Sequence, residues 1–410
     1  MSNTEKNMQI KQTYLETKAR RVNQCCKVFS VKIQSNKLNA SQKEHIKMMF
    51  VEAKWMHNHI LNLAKNNDID IFKLKYTDLN DIKHFDKDKN EITSKLVYLS
   101  SQMKQEVLTN IFTSIHSLNK LKNKGNKVGA IKFISEYTSI NLKQANVSYK
   151  IIGKNKIKIQ GIKKPLKVNG LKQLGIFGKD YELANAKLLL KPSGYYIAIT
   201  VYTNKVISDK TDKKIIGIDF GCQTSFTLSD GRKINTIVEE SERLKKIQKR
   251  IARSKKGSNN RWKLRKQLRK AYEHDVNKKK DMAYKICSML SDYQVIMQDE
   301  QIQAWKKRHG KKIQHSILGR VKSILINKED TVVLNRFVPT TKLCRDCGYI
   351  HKEIKEKDRE YICPNCGVVY DRDIHAAENM IWIYENIIGV ERTDFKRVDF
   401  DEQLRLLFER

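Results

Sequence analysis

Apolar and polar positions change their spacing along this chain, and each change marks a candidate boundary. Residues 1–24 (MSNTEKNMQIKQTYLETKARRVNQ) are polar and lack an apolar core, which predicts a flexible N-terminus and no secretory signal. Cys26 to Ile33 alternates as a strand does. Residues 41–66 carry Ile46, Met49, Phe50, Ala53 and Ile60 at helical spacing. A second helical region over about 94–122 carries Leu108, Ile111, Phe112, Ile115 and Leu118. Short alternating runs follow at 129–133, 139–142, 156–160, 187–191 and 195–203. Residues 25–205 therefore read as a β-rich domain with a helical insertion.

A charged stretch at 205–214 precedes Ile215 to Gly221 (IIGIDFG), a buried strand closed by an acid and a glycine. Residues 225–238 continue as a hairpin around Asp230-Gly231. Residues 240–290 form a long basic helical region. Its first arm bears Leu244, Ile247 and Ile251, a loop at 255–260 turns it back, and its second arm bears Trp262, Leu264 and Leu268. An apolar strand at 294–297 runs into Gln298-Asp299-Glu300. A helix near 314–326 and a strand at 331–337 lead to a cysteine-rich segment, and a last helix begins near Asp373.

Charge sharpens this picture. The 410 residues include 81 basic and 45 acidic side chains, a formal net charge of +36, while 40% are hydrophobic. The apolar share suffices for real cores, and the length suggests several domains. So large an excess of positive charge opposes compaction unless a polyanion neutralises it, and nucleic acid is the obvious one. No apolar run is long enough to span a membrane, so no membrane partner is expected. Cys25, Cys26, Cys222 and Cys287 show no framework spacing, which points to a reducing, cytoplasmic compartment.

Cys344, Cys347, Cys363 and Cys366 form two C-x-x-C pairs, with Gly348 and Gly367 directly after each pair. Such pairs place thiolates on two tight knuckles, the donor set of a structural Zn2+ site with no open position. Three acids are candidates for catalysis: Asp219 at a strand end, Glu300 after a second strand, and Asp373 at a helix start. That order is the ribonuclease-H-like arrangement, in which carboxylates from distant elements converge on two divalent ions for phosphodiester hydrolysis; Mg2+ suits an all-oxygen site. Asp371 and Asp373 both stand where acids cap helices. For the middle position Glu300 is taken, with Asp299 as the alternative.

About eighteen Lys and Arg lie within 243–285, with few acids to pair them. They predict a phosphate-backbone track in which Lys246, Arg250, Arg253, Lys255, Lys256, Arg261 and Arg265 bind nucleic acid. Trp55, Trp262, Trp305 and Tyr272 lie near bases and are expected in the core.

Together GIDFG, TLSDG, QKRIARSKKGSNNR, TTKLCRDCG, CPNCG and DRDIHAAENM resemble the TnpB proteins of insertion sequences, which are similar to miniature type V CRISPR effectors. The resemblance is strong over about 215–385. It implies an α+β multidomain fold: a β-barrel wedge domain at 25–40 and 126–205, a helical recognition insertion at 41–125, and a RuvC-like nuclease at 214–338 that includes the arm at 240–290. A zinc ribbon at 340–369, the last RuvC-like helix at 370–390 and a C-terminal tail at 391–410 complete it. The implied activity is Mg2+-dependent, RNA-guided DNA cleavage, with guide RNA from the transposon end, a double-stranded DNA target, one protein copy per guide RNA, and residence at the nucleoid. Asp219 and Asp373 match the first and last RuvC acids. The family's middle acid falls on Gln298, and His375 stands where the family has Asn, either donating near the phosphate or packing. The missing acid at 298 raises an alternative, a nuclease-inactive RNA-guided repressor; a transposase accessory protein or CRISPR effector is a weaker one.

Overall fold

The computed structural model describes residues 3–65, 70–86, 90–178, 180–205, 213–328, 330–355 and 357–388. The chain forms two compact units, Met1–Val206 and Ile207–Arg410. The tail expected at 391–410 lies outside the described residues. Among the described residues no helix is long and apolar enough to cross a membrane.

The first unit runs α1 (Asn3–Val22), β1 (Gln24–Ile33), α2 (Ala40–Lys65), the hairpin β2 (Asp81–Phe85) and β3 (Glu91–Lys95), and α3 (Ser101–Asn123). Then come β4 (Ser139–Leu142), β5 (Tyr149–Ile152), β6 (Lys156–Ile159), β7 (Leu166–Asn169), β8 (Tyr181–Lys191) and β9 (Gly194–Asn204). Seven strands form one sheet in the order β4-β8-β9-β1-β7-β6-β5, with antiparallel neighbours throughout. Its core joins Val31, Leu188, Ile197 and Val201 to the α2 residues Ile46, Met49, Phe50, Ala53, Met56 and Ile60. Buried Glu52 on α2 accepts the main-chain N–H groups of Val97, Tyr98 and Leu99, tying α2 to the segment that enters α3.

Three sequence expectations fail here for local reasons. The N-terminal segment, expected without regular structure, is helical over Asn3–Val22. Its Lys, Glu, Gln and Met favour helix, and its last turn is anchored by Arg21, which pairs with Glu182 at 2.7 Å and lies 3.4 Å over the Tyr202 ring. Residues 129–133 alternate but form no strand. The neighbouring main chain is taken by a side chain: Asn58 both donates to the Ile134 carbonyl and accepts its N–H, at 2.9 Å each. The helix expected from 94 starts at Ser101, capped by Ser100, because 91–95 pairs as β3.

The second unit runs β10 (Lys214–Phe220), β11 (Phe226–Leu228), β12 (Lys233–Ile234), α4 (Glu242–Arg253), α5 (Asn259–Met289), β13 (Tyr293–Gln298), α6 (Lys306–His315), α7 (Leu318–Ile326) and β14 (Thr331–Leu334). It ends with the small strands β15 (Glu360–Ile362) and β16 (Val369–Asp371) and then α8 (Arg372–Ile383). The main sheet has the order β12-β11-β10-β13-β14. Its first three strands are antiparallel, and β10, β13 and β14 run parallel. Strand alternation divides the sheet's two faces. Ile216, Ile218, Val295 and Met297 pack with Ala283, Ile286, Val321 and Leu325 of α5 and α7. Ile296 and Leu334 pack with Met380 and Ile383 of α8.

Helix α8 crosses β10 at Gly217, where any Cβ would collide with the Ala377 carbonyl oxygen. Only glycine permits this approach, and the small residues Ala376 and Ala377 complete it. Period two puts Asp219 on the same face as Gly217, toward the start of α8. Gly217→Ala is therefore expected to push α8 off the sheet and lower stability by about 1–3 kcal/mol. Gly319→Ala on α7, which meets open space, is expected to be neutral or slightly stabilising. Denaturant unfolding of both variants checks the contrast.

Candidate active site and metal centre

Strand β10 ends in Asp219, β13 leads into Glu300, and Asp373 is the second residue of α8. All three line one cleft of about 600 Å³. Lys307 and Lys312 of α6, Arg359 and Arg372 line it too. Burial, then the nearby Asp373 and Glu300 carboxylates, push the Asp219 carboxyl up to about 8, against the partial opposition of Arg372. Burial likewise raises Glu300 above the usual carboxylate range. The cations around these acids offset only part of the cost of crowding them out of water. Arg372 donates to Asp373 at 2.7 Å, and Arg359 lies 3.8 Å from the other Asp373 oxygen.

The neighbouring acids have other work. Asp371 is the N-cap of α8, accepting the N–H groups of Asp373 and Ile374 at 3.1 Å, and it pairs with Lys233 at 2.6 Å. Asp299 turns away from the cleft to Lys322 at 2.6 Å and Arg336 at 2.7 Å. The Lys322 hydrogen bond leads the effects that hold its carboxyl below the usual range. Gln298 is buried with every polar atom engaged. Its amide nitrogen donates to the carbonyls of Asn335 and Val338, at 3.0 and 2.7 Å, and its oxygen accepts from Thr340 at 3.0 Å. A glutamate at 298 would face two carbonyl oxygens with an acceptor. Of the acids weighed for the middle position, Glu300 is the one in the cleft.

The four cysteine sulfurs lie within 4.8 Å of one another. Cys344 to Cys366 and Cys347 to Cys363 are each 3.6 Å. A tetrahedron with Zn–S bonds of about 2.3 Å has edges of about 3.8 Å, so the donor set and its spacing are compatible with a structural Zn2+. Each knuckle closes alike: Gly348 donates to the Cys344 carbonyl at 2.8 Å and Gly367 to that of Cys363 at 2.9 Å, both glycines at positive φ. The first knuckle is fastened to α8. The Leu343 carbonyl accepts from His375 Nε2 at 2.7 Å and Asn379 Nδ2 at 2.8 Å, and Arg345 pairs with Glu378 at 2.6 Å. His375 thus packs. It is buried between the Tyr361 and Tyr370 rings, at 4.4 and 4.7 Å, and does not line the cleft.

In the basic arm, α4 and α5 pair through Leu244, Ile247, Ala271 and Leu268. Lys246, Arg250, Arg253, Lys255, Lys256 and Arg265 are exposed. Arg261 differs from them. Its guanidinium donates to the carbonyls of Ile251 and Ser254, at 2.7 and 2.9 Å, and so closes the end of α4. This internal role meets the need of orphan carbonyls at a helix end for donors. Two aromatics expected in the core are outside: Trp262 is 64% exposed and Tyr272 is 43% exposed. Trp55 stacks on His84 at 3.8 Å. Sequence reasoning missed Lys322, Arg336, Arg359 and Arg372, since isolated bases on a chain so rich in them carry no positional signal.

Residues 327–380 match a family described as Cas12f1-like, TNB domain, and residues 198–304 match one described as Probable transposase. A Streptomyces pristinaespiralis protein named "Putative RNA-guided DNA endonuclease" is 30% identical over 178 residues, covering 40% of this chain and 44% of that protein. The chain thus spans less than half the length of that curated relative. Among solved structures, a complex of Cas12f1 with sgRNA and target DNA aligns with a TM-score of 0.44 and 13% identity, over 87% of this chain and 99% of the other. The family matches and the relative support a TnpB-like protein.

Two outcomes are expected from this geometry. Gln298→Glu, which restores the family's residue type, is expected to destabilise the fold by about 1–3 kcal/mol, read from the denaturant midpoint. The second concerns pH. Asp219's carboxyl lies near 8 in the fold against an ordinary value of 3.8, so the native state holds a proton the unfolded chain has released. The stability this gives is complete below about pH 4 and is lost as pH rises through about 8. Without added divalent ions, the wild type is expected to lose stability over that window relative to Asp219→Asn, in parallel unfolding titrations.

Proposed function

We propose that this chain is the RNA-guided DNA endonuclease of a transposable element, cutting phosphodiester bonds at a two-metal site held by Asp219, Glu300 and Asp373. The observation that carries the reading is the convergence of these three carboxylates, and not Asp299 or Asp371, on one cleft. A donor set of carboxylate oxygens suits Mg2+. Bound there, such ions supply an activated water and stabilisation of the leaving oxygen. Asp219 and Asp373 hold their carboxylates on rigid elements locked together at Gly217, which fixes their spacing before substrate arrives. Lys307 and Lys312 on the cleft wall attract the phosphodiester backbone and counter the charge it brings.

The sheet order of the second unit, three antiparallel strands followed by two parallel ones, supports the ribonuclease-H-like (RuvC) reading. In the chain, the cysteine segment lies between β14 and α8, which supports a zinc ribbon inserted within that nuclease. The first unit reads as a wedge domain of antiparallel strands with α2 and α3 as its recognition insertion. The exposed bases of α4 and α5 form a phosphate track for guide or target. The partners are a guide RNA from the transposon end and a double-stranded DNA, with one protein copy per guide RNA, acting at the nucleoid. The relative named for RNA-guided cleavage supports this choice.

The purified complex with its guide RNA, given Mg2+ and a matched duplex, is expected to cleave. Asp219→Ala, Glu300→Ala and Asp373→Ala are each expected to slow cleavage about 10²-fold or more while guided binding persists. Tight guided binding by the wild type without cleavage would establish the repressor instead. Full activity in Glu300→Ala would remove that residue from the site.

A further inference from the structure

Strand β13 spends its last side chain, Gln298, on the core, and the acid in the cleft comes two residues later. Something must bring that acid round. The holds on Glu300 that the structure shows run through its main chain. Its N–H donates to the Gln298 carbonyl at 2.9 Å, a three-residue turn centred on Asp299, and its own carbonyl accepts the Ile302 N–H at 3.0 Å. The same carbonyl accepts from Lys322 Nζ at 2.6 Å. That ammonium also donates to Asp299 Oδ1 at 2.6 Å, while Arg336 takes Asp299 Oδ2 at 2.7 Å. The Asp299 N–H closes the arrangement on the Leu334 carbonyl at 3.0 Å.

We propose that Lys322 is a positioning residue: by clamping Asp299 and the Glu300 carbonyl together it ends β13 in a tight turn and aims the Glu300 carboxylate into the cleft. The inference rests on the two-metal reading of that cleft. Lys322 is well placed for the task. It sits on α7, whose Val321 and Leu325 are buried against the sheet, and its side chain is only 14% exposed. A buried ammonium with well-oriented partners holds them in one geometry. Arg336 adds a second hold from the segment after β14. Asp299, the acid nearest the family's middle position, thereby acts as the handle and Glu300 as the ligand.

The bland alternative is that Lys322 merely staples α7 to the sheet. The two roles differ in sign. A cation close to a metal site repels the metal, so removing one that has no positioning role strengthens binding or leaves it unchanged. Removing a clamp weakens it. The test uses the full-length, zinc-loaded protein and Mn2+ as probe, with free Mn2+ measured by electron paramagnetic resonance. Asp219→Ala defines the fraction bound in the cleft. Lys322→Met is expected to weaken that binding about 10-fold, and Lys322→Arg to restore most of it. Arg336→Met, at a more exposed position, is expected to act in the same direction and less strongly. In the Glu300→Ala background Lys322→Met is expected to cost nothing more, because the effect runs through Glu300. Melting temperature and zinc content are read alongside, and Arg336→Met carries the sign test if Lys322→Met does not fold.

Unchanged or tighter Mn2+ binding in folded Lys322→Met, or in Arg336→Met where it stands in, overturns the proposal. So does an equal loss with and without Glu300. Failure of the underlying reading looks different: the wild type itself then binds no Mn2+ that Asp219→Ala removes, and the proposal falls with it.

Discussion

The contact between Gly217 and Ala377 is the constraint on which the second unit depends. Packed sheets ordinarily stand about 10 Å apart, held off by side chains, and a helix laid on a sheet is held off by side chains in the same way. Here β10 offers no side chain at the crossing, and the Ala377 carbonyl of α8 comes against it beside Ile381, so backbone meets backbone. This closeness brings the first turn of α8 within range of the end of β10. Asp219 and Asp373, separated by more than a hundred and fifty residues in the chain, reach one cleft because of it. The same helix is tied further along to the first cysteine knuckle through His375, Asn379 and Glu378. The cysteine segment is therefore a brace on the helix that carries an acid of the cleft. A structural ion in the thiol cluster would hold the Leu343 carbonyl and Arg345 in place, and they in turn hold α8.

Gathering acids in one half-buried cleft has a cost that the structure leaves partly unmet. Asp219 is driven toward its protonated form by burial and by its like-charged neighbours. Around it, the acids that do not enter the cleft are neutralised outright: Asp299 by two bases, Asp371 by Lys233 and two main-chain donors. Asp219 and Glu300 stand apart from these acids by their raised carboxyls, while Asp373 shares the cleft with Arg372 and Arg359 beside it. A carboxylate with its own cations stabilises the fold. A carboxylate held away from water with too few of them awaits a charge from outside.

Much of this was legible in the sequence, and the failures have physical causes. IIGID read as a buried strand ending in an acid because its apolar run left no other reading, and β10 spans Lys214–Phe220. The C-x-x-C pairs specified their own knuckles, since local spacing fixes local geometry. The middle acid was harder. Period two places Gln298 and Glu300 on one face only while the strand continues, and the strand stops at Gln298. What stops it is a pair of ion-pair partners, Lys322 and Arg336, that are remote in the chain and indistinguishable from other bases. Residues 129–133 alternate without pairing as a strand, and the main chain directly after them, at Ile134, is held by Asn58, far away in sequence. Alternation and helical spacing report what a segment can bury. They do not report which distant polar group claims its backbone.

The excess of positive charge needs the same discrimination. A net charge of +36 invites every Lys and Arg to be assigned to a phosphate. Several have partners within the protein. Arg261 closes a helix end, Lys322 clamps a turn, and Lys104 is buried against Asn80 and the Leu96 carbonyl. Bases spent internally release no counterions when a polyanion binds, so they add nothing to the salt dependence of that binding. Lys246, Arg250, Arg253, Lys255, Lys256 and Arg265 of the arm are exposed, with Trp262 and Tyr272 uncovered among them. Stacking on such rings is indifferent to base identity, as contacts to phosphate are. On the proposed reading, an arm built this way would grip nucleic acid without reading it, which leaves sequence discrimination to other parts of the assembly.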